Sequence, residues 1–172
     1  MSQQTQNLMK KISLAKVVLN MGVGKSGEPI EIGKKTLVQI TGKKPNERNA
    51  KKSQRDWGVR KGEPIGIAVT IRGNDATELL KKLLVVKDNQ IAEKAFDNEG
   101  NLSFGIKEHI DIPGIKYDPK IGILGLEVSI SLTRPGFNIK FNRSKAKIGK
   151  NHRIAKSEAI KFLTEEFGVK VV

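Results

Sequence analysis

The sequence contains no cysteine and has one tryptophan, one tyrosine and two histidines in 172 residues. The lack of cysteine excludes disulfides and thiolate metal sites and suits a reducing compartment. The two histidines, His109 and His152, lie far apart in the sequence. This argues against a histidine metal site and against a Ser-His-Asp triad. No apolar run approaches the ~18 residues of a membrane-spanning helix, and the N-terminus has no apolar signal region. We therefore expect a chain that is neither exported nor membrane-spanning.

Positive charge is concentrated in two short segments. Residues 42–61 hold eight lysines and arginines against two acids, and residues 128–157 hold eight against none. These segments account for the whole formal net charge of +14, so the rest of the chain is balanced. Such clusters neutralise phosphates, which supplies most of the affinity for nucleic acid and makes it depend on salt. The pattern favours a nucleic-acid-binding protein over two merely solvated charged loops.

Hydrophobic periodicity predicts the element order β-α-β-α-β-β-α, and hence an α+β fold with a mostly antiparallel sheet. We expect a single domain over residues 1–172 that carries two extended basic segments, a loop at 43–61 and an arm at 134–156. The arm begins with the strand-breaking Arg-Pro-Gly at 134–136. Strands are predicted at 16–21, 64–72, 102–112 and 124–133, and helices at 31–41, after an N-cap at Asn74, and after an N-cap at Ser157.

The glycines at 22–27 match the dinucleotide-binding pattern G-x-G-x-x-G and follow a predicted strand. That mechanism needs a helix directly after the glycines, with its N–H groups aimed at a pyrophosphate. Pro29 disfavours a helical Glu28, and parallel βαβ partners are lacking. We interpret the glycines as a strand turn or a close backbone approach. A small nucleotide-dependent protein remains the alternative from the enzyme class.

Acidic residues lie close together in the second half of the chain, but lysines are interspersed among them. This arrangement favours a solvated mixed-charge face over acid–base chemistry or a Mg²⁺ site. His109 is interpreted as a half-exposed structural histidine. No nucleophile with a base beside it is present, and we predict a non-enzyme without cofactor or metal. The acids are Asp97, Glu99, Glu108, Asp111 and Asp118.

Trp57 is the lone tryptophan and lies within the first basic segment. An indole among lysines and arginines suits stacking on a base or ribose. The alternative is that Trp57 anchors the loop to the core and leaves the charges to water.

Several blocks of sequence, in this order, resemble the universal ribosomal protein number five family of the large subunit, whose members bind 5S ribosomal RNA. They are VVLNMGVG at 17–24, TGKKP at 41–45, AKKS at 50–53, RKGEPIG at 60–66, VTIRG at 69–73 and GNLSFGIKEH at 100–109. The stretches DIPGIKYDP at 111–119 and LTRPGF at 132–137 are similar to the archaeal or eukaryote-like form. The family often has Gln where this chain has Lys43, so an amide that can donate and accept is replaced by a cation that only donates.

The resemblance implies that helices cover one face of the sheet while the other binds 5S rRNA and holds it in the central protuberance. On this basis the 5S-binding residues are Asn20, Gly22, Lys43, Arg60, Thr70 and Arg72. Alternation along each strand independently lets Asn20 and Thr70 point outward while Leu19 and Val69 point inward. A free-standing RNA chaperone or translational regulator that uses the same face is the alternative.

The resemblance implies further partners at the ribosome in the cytoplasm. Residues 46–60 of the basic loop correspond to a segment that contacts peptidyl-site tRNA, here through Lys51, Lys52, Ser53, Arg55 and Trp57. Residues 96–115 resemble a surface that faces a small-subunit head protein across the intersubunit bridge. The basic arm is expected to bind large-subunit rRNA through Lys140, Arg143, Lys145, Lys147, Lys150 and Arg153.

Overall fold

A five-stranded antiparallel sheet forms the centre of the computed structural model, which describes residues 7–24, 26–115, 122–141 and 147–172. The spatial order of its strands is β2-β3-β1-β6-β5. A separate parallel pair joins β4 to β7. The strands are β1 (Ser13–Gly22), β2 (Asn46–Asn49), β3 (Pro64–Ile71), β4 (Gln90–Ile91), β5 (Leu102–Ile106), β6 (Leu126–Thr133) and β7 (Lys170–Val171).

Three α-helices complete the fold: α1 (Glu28–Thr41), α2 (Asn74–Val85) and α3 (Lys156–Phe167). Alternate residues of the three central strands are apolar and buried, and they form one core with the buried leucines of the helices. The packing of α1 on the sheet is close at Gly33, where a Cβ atom would lie 2.6 Å from Ile67 Cδ1. The predicted α+β class, with a mostly antiparallel sheet, is confirmed.

Three helix boundaries differ from the sequence predictions. The first helix begins at Glu28, not Glu31, because Pro29 occupies the first turn, where a missing N–H costs nothing. The N-cap of α2 is Gly73, so Asn74 is the first helical residue. Ala155 precedes α3, and the Glu158 carboxylate, not Ser157, accepts the hydrogen bond from the Ala155 N–H at 2.9 Å.

The predicted strands at 16–21, 64–72 and 124–133 are confirmed to within a few residues as β1, β3 and β6. The strand predicted at 102–112 is wrong beyond Ile106, because the chain turns there into a short 3₁₀ helix at His109–Asp111. The basic loop at 43–61 also contains a strand, since β2 pairs with β3. All four residues of β2 are polar and exposed at the sheet edge, so no hydrophobic alternation marks it.

Candidate nucleic-acid interface

One side of the five-stranded sheet carries small and polar side chains. We call it the open face; the core and the three helices lie on its other side. Strand register places sixteen described residues on it. They are Lys16, Val18, Asn20 and Gly22 of β1, Asn46 and Arg48 of β2, Gly66, Ala68 and Thr70 of β3 with Arg72 beyond it, Ser103 and Gly105 of β5, and Glu127, Ser129, Ser131 and Thr133 of β6.

Asn20 and Thr70 lie at the centre of the open face, on the two neighbouring strands β1 and β3. Thr70 is exposed and Asn20 half-buried, whereas Leu19 and Val69 are buried on the core side. The predicted inward and outward orientations are therefore confirmed. Asn20 Nδ2 donates a hydrogen bond to Glu127 Oε2 at 2.9 Å, which fixes the amide on the face.

Glycines meet at one end of the β1–β3 pair, where Gly22 lies opposite Gly66. No atom lies within 4 Å of the position that a Gly22 Cβ would occupy, so the backbone there is open to a close approach. A ribose or phosphate can reach the main chain at such a position without steric hindrance.

The opposite end of the open face is cationic and borders a cleft of about 700 Å³. The cleft separates β1 and β6 from the basic arm. Phe141, which is 81% exposed, lies at its rim. Its single lining acid among the described residues, Glu99, forms an ion pair with Lys140 at 3.3 Å. The lining cations are Lys16, Arg72, Lys140, Lys147 and Arg153.

Arg134 anchors the first residues of the arm to α3. The residue is 5% exposed, and its guanidinium donates to Glu158 Oε1 at 2.8 Å and to the carbonyl of Arg153 at 3.2 Å. The Ala155 N–H and the Arg134 guanidinium hold the pKa of Glu158 below its ordinary 4.5, although partial burial opposes them. Arg134 is the first residue of the arm and Arg153 lies near its end. The bond between them therefore joins the two ends of the arm.

A second contact holds the arm across its base. His152 Nε2 lies 2.8 Å from the Pro135 carbonyl, and the His152 ring meets Phe137 edge-on at 5.5 Å between centroids. Lys150 is exposed in a short 3₁₀ helix. Arg143 and Lys145, both predicted to bind rRNA, lie outside the described residues.

The connection between β2 and β3, residues 50–63, is hydrogen-bonded across its width; we call it the hairpin loop. The Ala50 N–H donates to the Glu63 carbonyl at 2.8 Å, and Gln54 bridges to Val59. Ser53 Oγ accepts from the Lys61 N–H at 2.9 Å. The loop therefore projects its side chains from a folded base.

Trp57 is 78% exposed at the tip of the hairpin loop. The alternative in which Trp57 anchors the loop to the core is therefore wrong. Lys51, Lys52 and Arg55 are also exposed. An exposed indole among cations is free to stack on a base.

Two residues predicted to bind 5S rRNA lie away from Asn20 and Thr70. Lys43 follows α1, and its Nζ lies 2.6 Å from Asp75 Oδ2 at the start of α2. The hydrogen bond from Lys43 lowers the pKa of Asp75 from its ordinary 3.8. Arg60 is exposed at the base of the hairpin loop. The structure brings Asn20, Gly22, Thr70 and Arg72 together on the open face, but not Lys43 or Arg60.

The glycine loop does lead straight into a helix, which corrects the argument from Pro29. The N-cap is Gly27, with φ of 96°, and Glu28 is already helical. However, the strand that follows α1 is the four-residue edge strand β2, and β3 lies between β2 and β1, antiparallel to both. A dinucleotide site needs neighbouring parallel strands joined by the helix, so strand topology, not Pro29, argues against nucleotide binding.

His109 is buried, not half-exposed as predicted. Its Nδ1 accepts a hydrogen bond from the Leu124 N–H at 3.3 Å, which ties the chain after β5 to the chain before β6. This role is structural. Asp97 is likewise engaged, because its Oδ1 accepts from the backbone N–H of Asn101 at 2.7 Å. Asp118, the last of the five acids, lies outside the described residues.

Within the described ranges, no group of three or more acids and histidines is arranged to hold a metal ion. No helix in the same ranges is long and apolar enough to cross a bilayer.

Comparisons with known proteins show the family to which this chain belongs. A family described as ribosomal protein L5 matches residues 7–60, and a second model, which describes the C-terminus of the same ribosomal family, matches residues 64–162. A large ribosomal subunit protein uL5 from Nitrosopumilus maritimus is 64% identical over 172 residues, covering 99% of each chain. The chain belongs to the ribosomal protein L5 family.

Two further L5 relatives are also archaeal. The uL5 of Cenarchaeum symbiosum is 58% identical and covers 95% of this chain and 98% of its own. That of Sulfurisphaera tokodaii is 48% identical, covering 98% and 97%. As an L5 family member, the chain is a structural component of the large ribosomal subunit and not an enzyme, and it works at the ribosome in the cytoplasm.

Sequence reasoning missed several residues of the open face, above all Lys16, Arg48 and Glu127. The signal for Glu127 was present, because residues 126–133 alternate strictly between buried apolar and outward polar side chains. Arg48 belongs to the edge strand β2, which has no hydrophobic alternation from which it could be predicted. Lys16 follows an irregularity in the β1–β6 register, which shifts the alternation at that point.

Proposed function

We propose that this L5 family member binds 5S rRNA through the open face and holds it in the central protuberance of the large subunit. The observation that carries the proposal is the composition of the face. Its sixteen residues include three cations, one acid and a majority of small or short polar side chains. Small side chains let ribose and backbone approach, and hydroxyl and amide groups suit 2′-hydroxyls and base edges.

The cationic cleft and the arm extend this proposal to large-subunit rRNA. Lysines and arginines around a cleft that continues from the open face neutralise phosphates of RNA already lying on the sheet. The free phenyl ring of Phe141 at the rim offers a surface on which a base can stack.

The hairpin loop and residues 96–115 carry the remaining proposed contacts. We assign peptidyl-site tRNA to the hairpin loop because its exposed indole and cations project from a folded base. A small-subunit head protein is assigned to residues 96–115, whose exposed acids and exposed Lys107 suit a polar protein interface.

The central experiment replaces Asn20 and Thr70 together by alanine and measures 5S rRNA affinity by filter binding. We expect a loss of about 2 kcal/mol, at about 1 kcal/mol for each hydrogen bond. The matched control is Gln39→Ala with Thr164→Ala, because both residues are exposed on helices of the opposite layer. Circular dichroism checks the fold of each variant.

Unchanged affinity in the Asn20 and Thr70 variant would overturn the proposal for the open face. The same titration with other structured RNAs distinguishes a 5S-binding ribosomal component from the alternative, a general RNA chaperone. A general RNA chaperone binds 5S rRNA no better than RNAs of equal length, whereas a 5S-binding component prefers it.

A further inference from the structure

Glu127 is the single carboxylate among the described residues of the open face. It is exposed, and no ion pair between described residues includes it. The only other acid of the sheet strands described, Glu47, points to the helical side, where it pairs with Lys34 at 2.6 Å. A negative charge at the centre of a surface that meets phosphates weakens non-specific binding. We therefore expect a ligand group that donates hydrogen bonds to a carboxylate.

The Glu127 carboxylate is held in a defined orientation. Asn20 Nδ2 donates to Oε2 at 2.9 Å, and Asn20 is itself half-buried on β1 between β3 and β6. Two carboxylate oxygens accept about four hydrogen bonds in all. The Asn20 bond thus leaves Oε1 and part of Oε2 available for donors from a ligand.

A recess of about 400 Å³ lies beside this carboxylate, between β5 and β6. Gly105 faces Glu127 directly across the two strands, and Ser103 faces Ser129. No atom lies within 4 Å of the position of a Gly105 Cβ, so a side chain at 105 would project into open space beside Glu127. Because residue 105 is glycine, no side chain at this position fills the recess, which is lined by Ser103, Phe104, Gly105, Glu127, Val128 and Ser129.

We propose that Glu127 and this recess form a site for the Watson–Crick edge of one unpaired guanine. Guanine is the base that presents two adjacent donors, N1–H and the N2 amino group, which match the two oxygens of a carboxylate. Unpaired bases in RNA loops are commonly read on this edge. Phosphate, which only accepts hydrogen bonds, is repelled. The site rests on the proposed binding of RNA to the open face and gives that face a means of choosing a base.

Two variants test the site independently of each other. Glu127→Gln keeps the shape and removes both the charge and one acceptor. Gly105→Val fills the recess without changing charge, and a β-branched residue suits a strand. Since φ at residue 105 is not positive and the added atoms have room, the valine variant is expected to fold. Thermal melts and circular dichroism confirm folding for both.

We expect each variant to lower 5S rRNA affinity about tenfold, as expected for one lost charge-assisted hydrogen bond. Affinity for a scrambled RNA of equal length stays constant for Gly105→Val and rises a few-fold for Glu127→Gln. The decisive probe is a series of 5S rRNAs in which each unpaired guanosine in turn is replaced by inosine, which lacks the N2 amino group. Wild-type protein loses affinity at one such position, and Glu127→Gln does not.

Three outcomes overturn the guanine site. The first is an equal rise in affinity of Glu127→Gln for 5S and scrambled RNA, which makes the charge purely repulsive. The second is a loss of affinity seen only when Mg²⁺ is present, which makes Glu127 a metal bridge. The third is a wild-type protein whose affinity is unchanged by every inosine substitution.

The Asn20 and Thr70 variant distinguishes failure of the guanine site from failure of the proposed function. If that variant loses affinity in the same assay, only the guanine site has failed. If that variant also binds like wild type, the proposed function has failed with it.

Discussion

The open face and the basic arm present contrasting surfaces that meet along one cleft. The open face offers short side chains such as Thr70 and Ser129, held on hydrogen-bonded strands. The arm offers long cations and an exposed Phe141. Short, fixed polar groups make directional contacts that depend on RNA shape, whereas long cations neutralise phosphate with little regard to sequence. We infer that selectivity resides in the sheet and much of the affinity in the arm.

The largest test of this contrast removes the anchor of the arm. Arg134→Met should lower the free energy of unfolding by about 2 kcal/mol, because it removes the hydrogen bonds of the guanidinium to Glu158 and to the Arg153 carbonyl, while the partly exposed Glu158 stays solvated. Urea denaturation measures the loss. Lys161→Met is the matched control, since Lys161 is an exposed cation of α3.

Limited trypsin digestion of the same variant shows what the anchor does for the arm. We expect faster cleavage after Lys147 and Lys150 than in wild type, because Arg134 no longer bonds to Glu158 of α3 and to the Arg153 carbonyl. An arm of unchanged resistance would contradict the anchoring role of Arg134.

A second test neutralises the arm while leaving the sheet intact. Lys147→Gln with Arg153→Gln should reduce the slope of log affinity against log salt by about 1 for each charge. The loss should be nearly equal for 5S and scrambled RNA. The control is Lys81→Gln with Lys82→Gln, two exposed cations of α2 on the opposite layer. A loss confined to 5S rRNA would place selectivity in the arm and break the contrast.

A third test separates the hairpin loop from both regions. Trp57→Ala should leave 5S rRNA affinity and stability unchanged, because the side chain is exposed and far from the core. It should weaken tRNA binding by about 1 kcal/mol through lost stacking. Fluorescence gives a second readout, since quenching of the only tryptophan by tRNA but not by 5S rRNA is expected. Quenching by 5S rRNA alone would contradict the assignment.

The smallest expected effect concerns pH. Because the pKa of Glu158 is lowered in the folded protein, its stabilising contribution is complete above about 4.5 and is lost as pH falls through the lower folded value. Glu158→Gln should therefore flatten the fall in melting temperature below about pH 5. A variant whose melting temperature falls as steeply as that of wild type would show that the lowered pKa of Glu158, which the Ala155 N–H and Arg134 produce, does not contribute to acid stability.

The sequence predicted those parts of the fold that local patterns govern. Large apolar residues alternate along β1, β3 and β6 because they fill the buried face of the sheet, and this alternation correctly predicted that Asn20 and Thr70 point outward. It could not reveal β2, whose pairing depends on β3 and not on its own composition. Nor could it place Lys43, because its partner Asp75 lies 32 residues away.

The candidate site was less predictable than the fold for the same physical reason. Glu127 can be recognised as part of the site only in the folded protein, where β6 lies beside β1. There its carboxylate meets Asn20, which is 107 residues away in the chain. Arg134 was counted among the basic residues of the arm, yet it is buried against Glu158. Charge counts along a chain do not separate a structural cation from one that meets RNA.

The edge strand β2 has a consequence for the molecule before assembly. An unpaired strand edge usually invites a second sheet to join it, and apolar, flat edges do so most readily. Here the edge is polar along its whole length, includes Glu47 and Arg48, and is interrupted by an irregular register before Asn49. At the opposite edge, Phe96 bridges to Leu102 at the start of β5. We therefore expect free monomers not to associate edge to edge before they bind RNA.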